Sequence, residues 1–304
     1  MLNPCFPKAL ATEETKSYAL PPQVVKQVYD INAHWSVGPE LRLQDVYRDE
    51  LWRKLESLGL GPSWWDGKRV LDLCCGTGLL SYHLLSRAKP FNLTLLDISE
   101  LEIAEAEKLI ASKYPGQVDS FLWANALDSG CLPASFDIVI GNSFLHHFPD
   151  LGLALREFVR LLRPGGLFVS LHEPTVAALA FESRNPANWL SYLRHGAAFV
   201  EMLRPEGDSL PAGQGTDVWL FDEGELRSLL REAGFASVRT EPWGFLRPLT
   251  VAIAALHLNA DRPRLGSFGC GLLRAAVGAD SLLRPLLPAK LFASLAFSAQ
   301  KPAT

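Results

Sequence analysis

Between Arg69 and Leu171 short apolar runs alternate with amphipathic ones in a fixed rhythm. Arg69-Val70-Leu71-Asp72-Leu73 has the length and composition of a buried strand, Leu79 to Ser86 reads as a helix, Leu93 to Leu96 as a strand and Leu101 to Ser112 as a helix. Ser120 to Trp123 and Phe136 to Ile140 are further strands, Leu153 to Leu162 a helix, and Leu167 to Leu171 a strand that follows the turn Pro164-Gly165-Gly166. Parallel neighbours need crossover connections, and right-handed crossovers bury a sheet under helices on both faces. The rhythm therefore predicts an α/β fold with a doubly wound, mostly parallel sheet, whose ligand sits at the carboxyl ends of the strands.

The flanks divide the chain of 304 residues into four expected parts. Residues 1–66 form a polar, proline-punctuated arm and a helical cap, in which Val25, Val28 and Tyr29, then Leu51, Leu55 and Leu58, fall at helical spacing. Residues 67–174 are the core, and 175–221 are too long and too rich in aromatic residues for a simple connection, so they are expected as a lid insertion. Residues 222–304 complete the core. There Asp222 is an N-cap for a helix ended by Gly234, Ala236 to Glu241 a strand, about 245–286 a second helical insertion, and Leu291 to Ala299 a last strand. Tyr29, Trp35, Phe181, Trp189, Tyr192, Phe199, Trp219, Trp243 and Phe245 in the added regions supply the walls of an apolar pocket.

Composition removes several function classes. Twenty-nine basic and 33 acidic residues leave a formal net charge of -4, which gives no footprint for a phosphate backbone, so nucleic acid is not an expected partner. The five cysteines, Cys5, Cys74, Cys75, Cys131 and Cys270, have no CxxC spacing, which fits reduced thiols in a cytoplasmic setting. The N-terminal residues carry Asn3, Pro4, Pro7 and Lys8 where a secretion signal needs an apolar run. Leu249 to Leu258 and Leu291 to Phe297 are far short of the roughly 20 residues needed for a membrane span.

The chemistry is carried by Val70-Leu71-Asp72-Leu73-Cys74-Cys75-Gly76-Thr77-Gly78. Glycines after a strand let a ligand approach the backbone, and the following helix offers it amide N–H groups. A dinucleotide fingerprint wants a third glycine where Ser81 stands, whereas Asp72 within the strand and Asp97 closing the next suit a cationic ligand. On these residues the segment from about Gly67 to Pro174 resembles the class I, Rossmann-like S-adenosylmethionine-dependent methyltransferases that act on small molecules. The resemblance implies a seven-stranded sheet and S-adenosylmethionine as cofactor. It places Gly76, Thr77 and Gly78 around the methionine moiety with Asp72 beside its amino group, Asp97 on both ribose hydroxyls, and Ile98 on the adenine. Asn125 and Ala126 stand where the family has Asp-Ala and are expected at the adenine edge, and Asn142 beside the methionine moiety. Cys74 departs from the pattern at the family's first glycine, a substitution that is costly if the backbone there has positive φ.

Methyl transfer needs alignment and dryness first, and a base only where the acceptor must lose a proton. Phe144-Leu145-His146-His147-Phe148 follows one strand and His172-Glu173-Pro174 another, so His146, His147 and His172 are candidate bases, with His146 favoured, and Glu173 is a candidate to orient an imidazole or hold a cationic substrate. No spaced ligand pattern points to a metal. Each assignment has a simpler rival: Asp97 as a helix cap beside Ser99, Asn125 as a turn residue, the histidines as features common to such folds, Cys74-Cys75 as a redox or metal pair, and the aromatics as plain lid core. The expected activity is methyl transfer to a small hydrophobic or lipid-like acceptor, oxygen before nitrogen or carbon, by a monomer or homodimer. Open alternatives are a cyclase or rearrangement enzyme assisted by S-adenosylmethionine and a nicotinamide-dependent oxidoreductase.

Overall fold

The computed structural model describes residues 41–88, 91–148, 150–178, 194, 219–246 and 267–304. The expected arm at 1–20, the first cap helices and most of both insertions lie outside the described residues. So do Tyr29, Trp35, Phe181, Trp189, Tyr192 and Phe199.

In chain order the elements are α1 (Leu41–Ser57), β1 (Arg69–Leu73), α2 (Leu79–Leu85), β2 (Asn92–Asp97), α3 (Glu100–Ala111), β3 (Ser120–Trp123), β4 (Phe136–Gly141), α4 (Leu151–Leu161), β5 (Leu162–Pro174), α5 (Glu223–Glu232), β6 (Ser237–Trp243), α6 (Ser267–Leu283) and β7 (Ser294–Gln300). They build one seven-stranded sheet of order β3-β2-β1-β4-β5-β7-β6. The pairs from β3 to β5 are parallel, and β7 runs antiparallel to both β5 and β6. The chain leaves β1 in one direction and returns to β4 on its other side, so the crevice between the ends of β1 and β4 is the topological switch point.

The boundaries follow local chemistry. Ser99 caps α3 by accepting from the Glu102 amide, Asp150 caps α4 through Leu153, and Asp222 caps α5 through Gly224 and Glu225. β5 begins earlier than expected, because the Pro164-Gly165-Gly166 turn is drawn into the strand pairing at Leu162 rather than preceding it. Gly78 precedes α2 at φ 75°, and a Cβ there would meet the Ala106 side chain of α3 at 2.9 Å, so glycine serves both the turn and the contact of two helices.

Two apolar layers flank the sheet. One joins Phe144, Leu155, Phe158, Phe168, Phe235 and Phe297 beneath α4 and α5, and the other joins Trp52, Leu55, Trp65, Leu84 and Ile110 beneath α1, α2 and α3. Trp219 and Trp243, expected as pocket walls, are instead buried members of these layers.

Candidate functional site

β1 carries Asp72 into the core, and only 1% of it is exposed. Ser81 Oγ, one turn into α2, donates to Asp72 Oδ2 at 2.5 Å, and Asp72 Oδ1 has no hydrogen-bond partner. Burial pushes this carboxyl up to about 7, the Asp97 charge adds to the rise, and the Ser81 bond opposes it. Ser81 therefore fills the place of the missing third glycine and does a different task there. Sequence reasoning missed it, although a hydroxyl facing the preceding strand from the first turn of a helix is a natural partner for a buried acid.

Asp97 ends β2, and its carboxylate is engaged on both sides. Gly76 N–H donates to Oδ2 at 2.9 Å and Ser99 N–H to Oδ1 at 2.9 Å, so one side chain joins the glycine turn to the start of α3. Ser99 is the residue that caps α3, so the rival reading of Asp97 as that cap falls away and Asp97 is left oriented towards the turn. Gly76 itself has φ 52°, and a Cβ on it would come 3.6 Å from Glu102 Oε2. Glu102, buried on α3, is a second acidic residue at this turn that the sequence did not single out. Ile98 is half-buried, and its carbonyl accepts from the indole N–H of Trp123, which is otherwise exposed at the end of β3. That ring, paired in register with Asp97, is an apolar surface beside Ile98 which the sequence left unassigned.

Cys74 has φ 55°, the condition under which its departure from glycine is costly. An L-residue in the left-handed region is strained by about 1–2 kcal/mol. Ser143, in the loop after β4 on the other side of the crevice, has φ 59°. Burial drives the Cys74 thiol well above its ordinary range, and Asp97, Asp72 and Glu173 drive it further. Cys75 is raised for the same chief reason, so neither thiol is a ready thiolate, and the redox or metal reading has no electrostatic support. β1 pairs in parallel with β4 and β4 with β5, so the turn after β1, the loop after β4 and the end of β5 lie along the same edge of the sheet.

Asn125 Oδ1 accepts from Leu127 N–H at 2.9 Å, and its carbonyl accepts from Asp128 N–H. The oxygen expected to take an adenine amino group is thus already closing a turn, the simpler of the two readings. Ala126 is buried against the apolar layer, and Asn142 is exposed at the end of β4.

Of the four candidate catalytic residues the structure joins two. His146 Nδ1 lies 2.7 Å from Glu173 Oε2, with both side chains buried. Glu173 also accepts from the Phe144, Leu145 and His146 amides at 3.3, 3.0 and 3.1 Å and from Ser170 Oγ at 2.5 Å. Burial pushes its carboxyl upward, but the charge and hydrogen bond of His146, the Ser170 hydroxyl and the Leu145 amide outweigh burial and hold it below the ordinary range. Glu173 is therefore a carboxylate, and Nδ1 of His146 donates to it. Trp219 braces the same loop, its amide donating to the His146 carbonyl and its indole to the Phe148 carbonyl at 2.6 Å. His147 packs on His146 with ring centroids 4.0 Å apart, and His172 is half-buried one residue before Glu173.

The residues fit a cationic cofactor. An unpartnered, buried carboxylate oxygen on Asp72 with a second carboxylate beside it is a costly arrangement that a bound ammonium or sulfonium offsets, and a pyrophosphate would aggravate. Among the described residues no group of three or more His, Cys, Asp or Glu is arranged to hold a metal ion, and no helix is long and apolar enough to cross a membrane.

Comparison with known proteins agrees with this geometry. Residues 70–166 match the model of the methyltransferase domain family. The chain is 29% identical over 204 residues to a demethylmenaquinone methyltransferase of Geobacillus kaustophilus (strain HTA426), covering 64% of this chain and 80% of that protein. It is 28% identical over 219 residues to the enzyme of the same name from Staphylococcus aureus (strain JH9), covering 69% and 82%. Among solved structures the fold is similar to the [4+2]-cyclase SpnF, with a TM-score of 0.57 at 19% identity over 94% of this chain and 98% of that one. It is also similar to Haemonchus contortus phosphoethanolamine N-methyltransferase 2 in complex with S-adenosyl-L-methionine, with a TM-score of 0.53 at 16% identity over 84% of this chain and 52% of that one.

Proposed function

In a chain that is a class I S-adenosylmethionine-dependent methyltransferase, we propose that the acceptor is a small hydrophobic molecule of quinone or natural-product type, methylated on an oxygen whose proton is taken by His146. The observation that carries this reading is the buried His146–Glu173 contact of 2.7 Å, on the same sheet edge as the turn after β1. Relatives named for demethylmenaquinone support a hydrophobic acceptor, and the cytoplasm, where thiols stay reduced, is its proposed setting.

Bound S-adenosylmethionine supplies an electrophilic methyl group on a sulfonium. In this reading Asp72 faces the cationic part of the cofactor, with Gly76, Thr77 and Gly78 giving backbone access, Asp97 takes the ribose hydroxyls with the lone pairs its two amide bonds leave, and Ile98 and Trp123 border the adenine. Ala126 and Asn125 stay near the adenine edge, with Asn125 chiefly a turn former, and Asn142 borders the methionine end. Glu173 fixes the His146 ring with Nδ1–H towards itself, which directs Nε2 to accept the acceptor's proton and stabilises the imidazolium that results. His147, His172 and the loop braced by Trp219 shape the wall.

The test is turnover of purified protein with hydroxylated quinones and phenols, followed by mass spectrometry of product and cofactor. Product heavier by one methylene together with S-adenosylhomocysteine supports the reading, and His146→Ala should then lower kcat by about 10²-fold or more with unchanged S-adenosylmethionine affinity. An isomerised product with intact cofactor would instead make the protein a cyclase or rearrangement enzyme.

A further inference from the structure

Among the described residues, the outer face of α6 carries a run of exposed apolar side chains. Phe268, Leu272, Ala275, Ala279, Leu282 and Leu286 follow one another at spacings of four, three, four, three and four along α6 and the 3-10 turn Arg284–Leu286. That spacing keeps them on one stripe of a helix. Phe268 is 76% exposed, Leu272 38%, Leu282 75% and Leu286 76%, and no charged residue interrupts the stripe. The opposite face is committed to the fold. Leu273 and Ala276 are buried, α6 packs on α1, and Asp280 accepts the Gly244 and Leu246 amides at 2.8 Å each. The outward direction of the stripe is therefore fixed rather than a consequence of a loosely held helix.

The order of side chains along the stripe says what covers it. Large residues stand at both ends and alanines at the centre, so the pattern of size is symmetric about position 277: Phe268 mirrors Leu286, Leu272 mirrors Leu282, and Ala275 mirrors Ala279. A two-fold contact between antiparallel helices sets each residue against its mirror position on the other copy, so here large side chains meet large ones at the two ends and alanine meets alanine at the centre. Two alanines at the centre let the helix backbones approach closely while the leucines and phenylalanine pack on either side. Four large side chains exposed to this degree present on the order of 500 Å² per protomer, so pairing removes about 1,000 Å², the size at which a contact between proteins becomes specific.

We propose that the protein is a homodimer whose two-fold axis passes between Ala275 and Ala279 of antiparallel α6 helices. Sedimentation velocity and light scattering of the full chain give a dimer that dissociates at high dilution. Leu272→Lys and Leu282→Glu, both at surface positions, each give a monomer with unchanged circular dichroism and unchanged S-adenosylmethionine affinity. Mixing the two variant chains restores a dimer, because antiparallel register places the lysine of one chain against the glutamate of the other. A wild-type chain that remains monomeric at high concentration, variants that still dimerise, or a mixture that does not recover would each overturn the proposal. So would monomers that sediment with phosphatidylglycerol vesicles through this stripe, since the face would then serve a lipid surface.

Discussion

Ser81 Oγ donates to Asp72 Oδ2 across 2.5 Å, while the other oxygen of the same carboxylate has no partner in the core. The carboxyl is raised from 3.8 to about 7, chiefly by burial, so folding carries a penalty that is absent below the unfolded value and complete above the folded one. Asp72→Asn keeps an acceptor for Ser81 and removes the charge. It should raise the melting temperature above about pH 7, with a gain of order 4 kcal/mol at most, shrinking to nothing near pH 4. Equal melting curves for the two proteins at pH 8 would mean that Asp72 has a counter-charge or water the geometry does not provide.

A cation bound beside Asp72 lowers that carboxyl's pKa again. Binding of S-adenosylmethionine should therefore tighten from about pH 5 to about pH 7 with release of a proton, and the dependence should vanish in Asp72→Asn. Calorimetry in buffers of different ionisation enthalpy reads the released proton directly.

Glu173→Gln places an amide N–H2 against donors that now share a carboxylate, the Phe144, Leu145 and His146 amides, Ser170 Oγ and His146 Nδ1. Breaking a buried pair of this kind costs about 3–5 kcal/mol. Because the Glu173 carboxyl is held below its ordinary value, its contribution is present above the unfolded pKa and lost as pH falls through the folded one, so the deficit of the variant should narrow in acid. Urea denaturation at neutral and acid pH measures both, and a variant as stable as the parent at pH 7 would remove Glu173 as organiser of the loop.

Asp97→Ala leaves the Gly76 and Ser99 amides without their acceptor. It should weaken S-adenosylmethionine binding at least tenfold and also cost roughly 1–3 kcal/mol of stability, since the carboxylate ties β2 to the glycine turn before any ligand arrives. Unchanged affinity in titration calorimetry would sink the ribose assignment, and an unchanged melting temperature would sink the structural one.

Cys74 holds φ 55°, which a β-branched side chain tolerates poorly. Cys74→Val should destabilise the protein by about 1–2 kcal/mol, while Cys74→Gly stays within about 1 kcal/mol of the parent, as lost packing offsets relieved strain. A valine variant as stable as the glycine one in chemical denaturation would contradict the backbone conformation.

The sheet was legible in the sequence because parallel strands buried on both faces leave unbroken apolar runs, and the turns between them leave glycine, proline and capping residues at fixed offsets. Val70 to Gly78, Asp97 and the pair of motifs after β4 and β5 could all be placed on strand ends from that rhythm alone. What the sequence left open was which of several polar groups meet. Spacing alone offers His146, His147 and His172 with only a slight preference for the first, and the packing of β4 against β5 brings Glu173 under the amides of the loop and against the His146 ring. Ser81 breaks a glycine pattern and finds its task only once α2 is seated over β1, and Asn125 gives its side-chain oxygen to a turn that its own chain closes. Trp219 and Trp243 looked like pocket walls because residue type does not record which side of a strand end a ring folds onto. Local pattern determines which elements form, since it is written in neighbours a few residues apart. The pairing of a carboxylate with one imidazole out of three depends on contacts 27 residues apart in the chain, which only the assembled sheet brings within hydrogen-bonding distance.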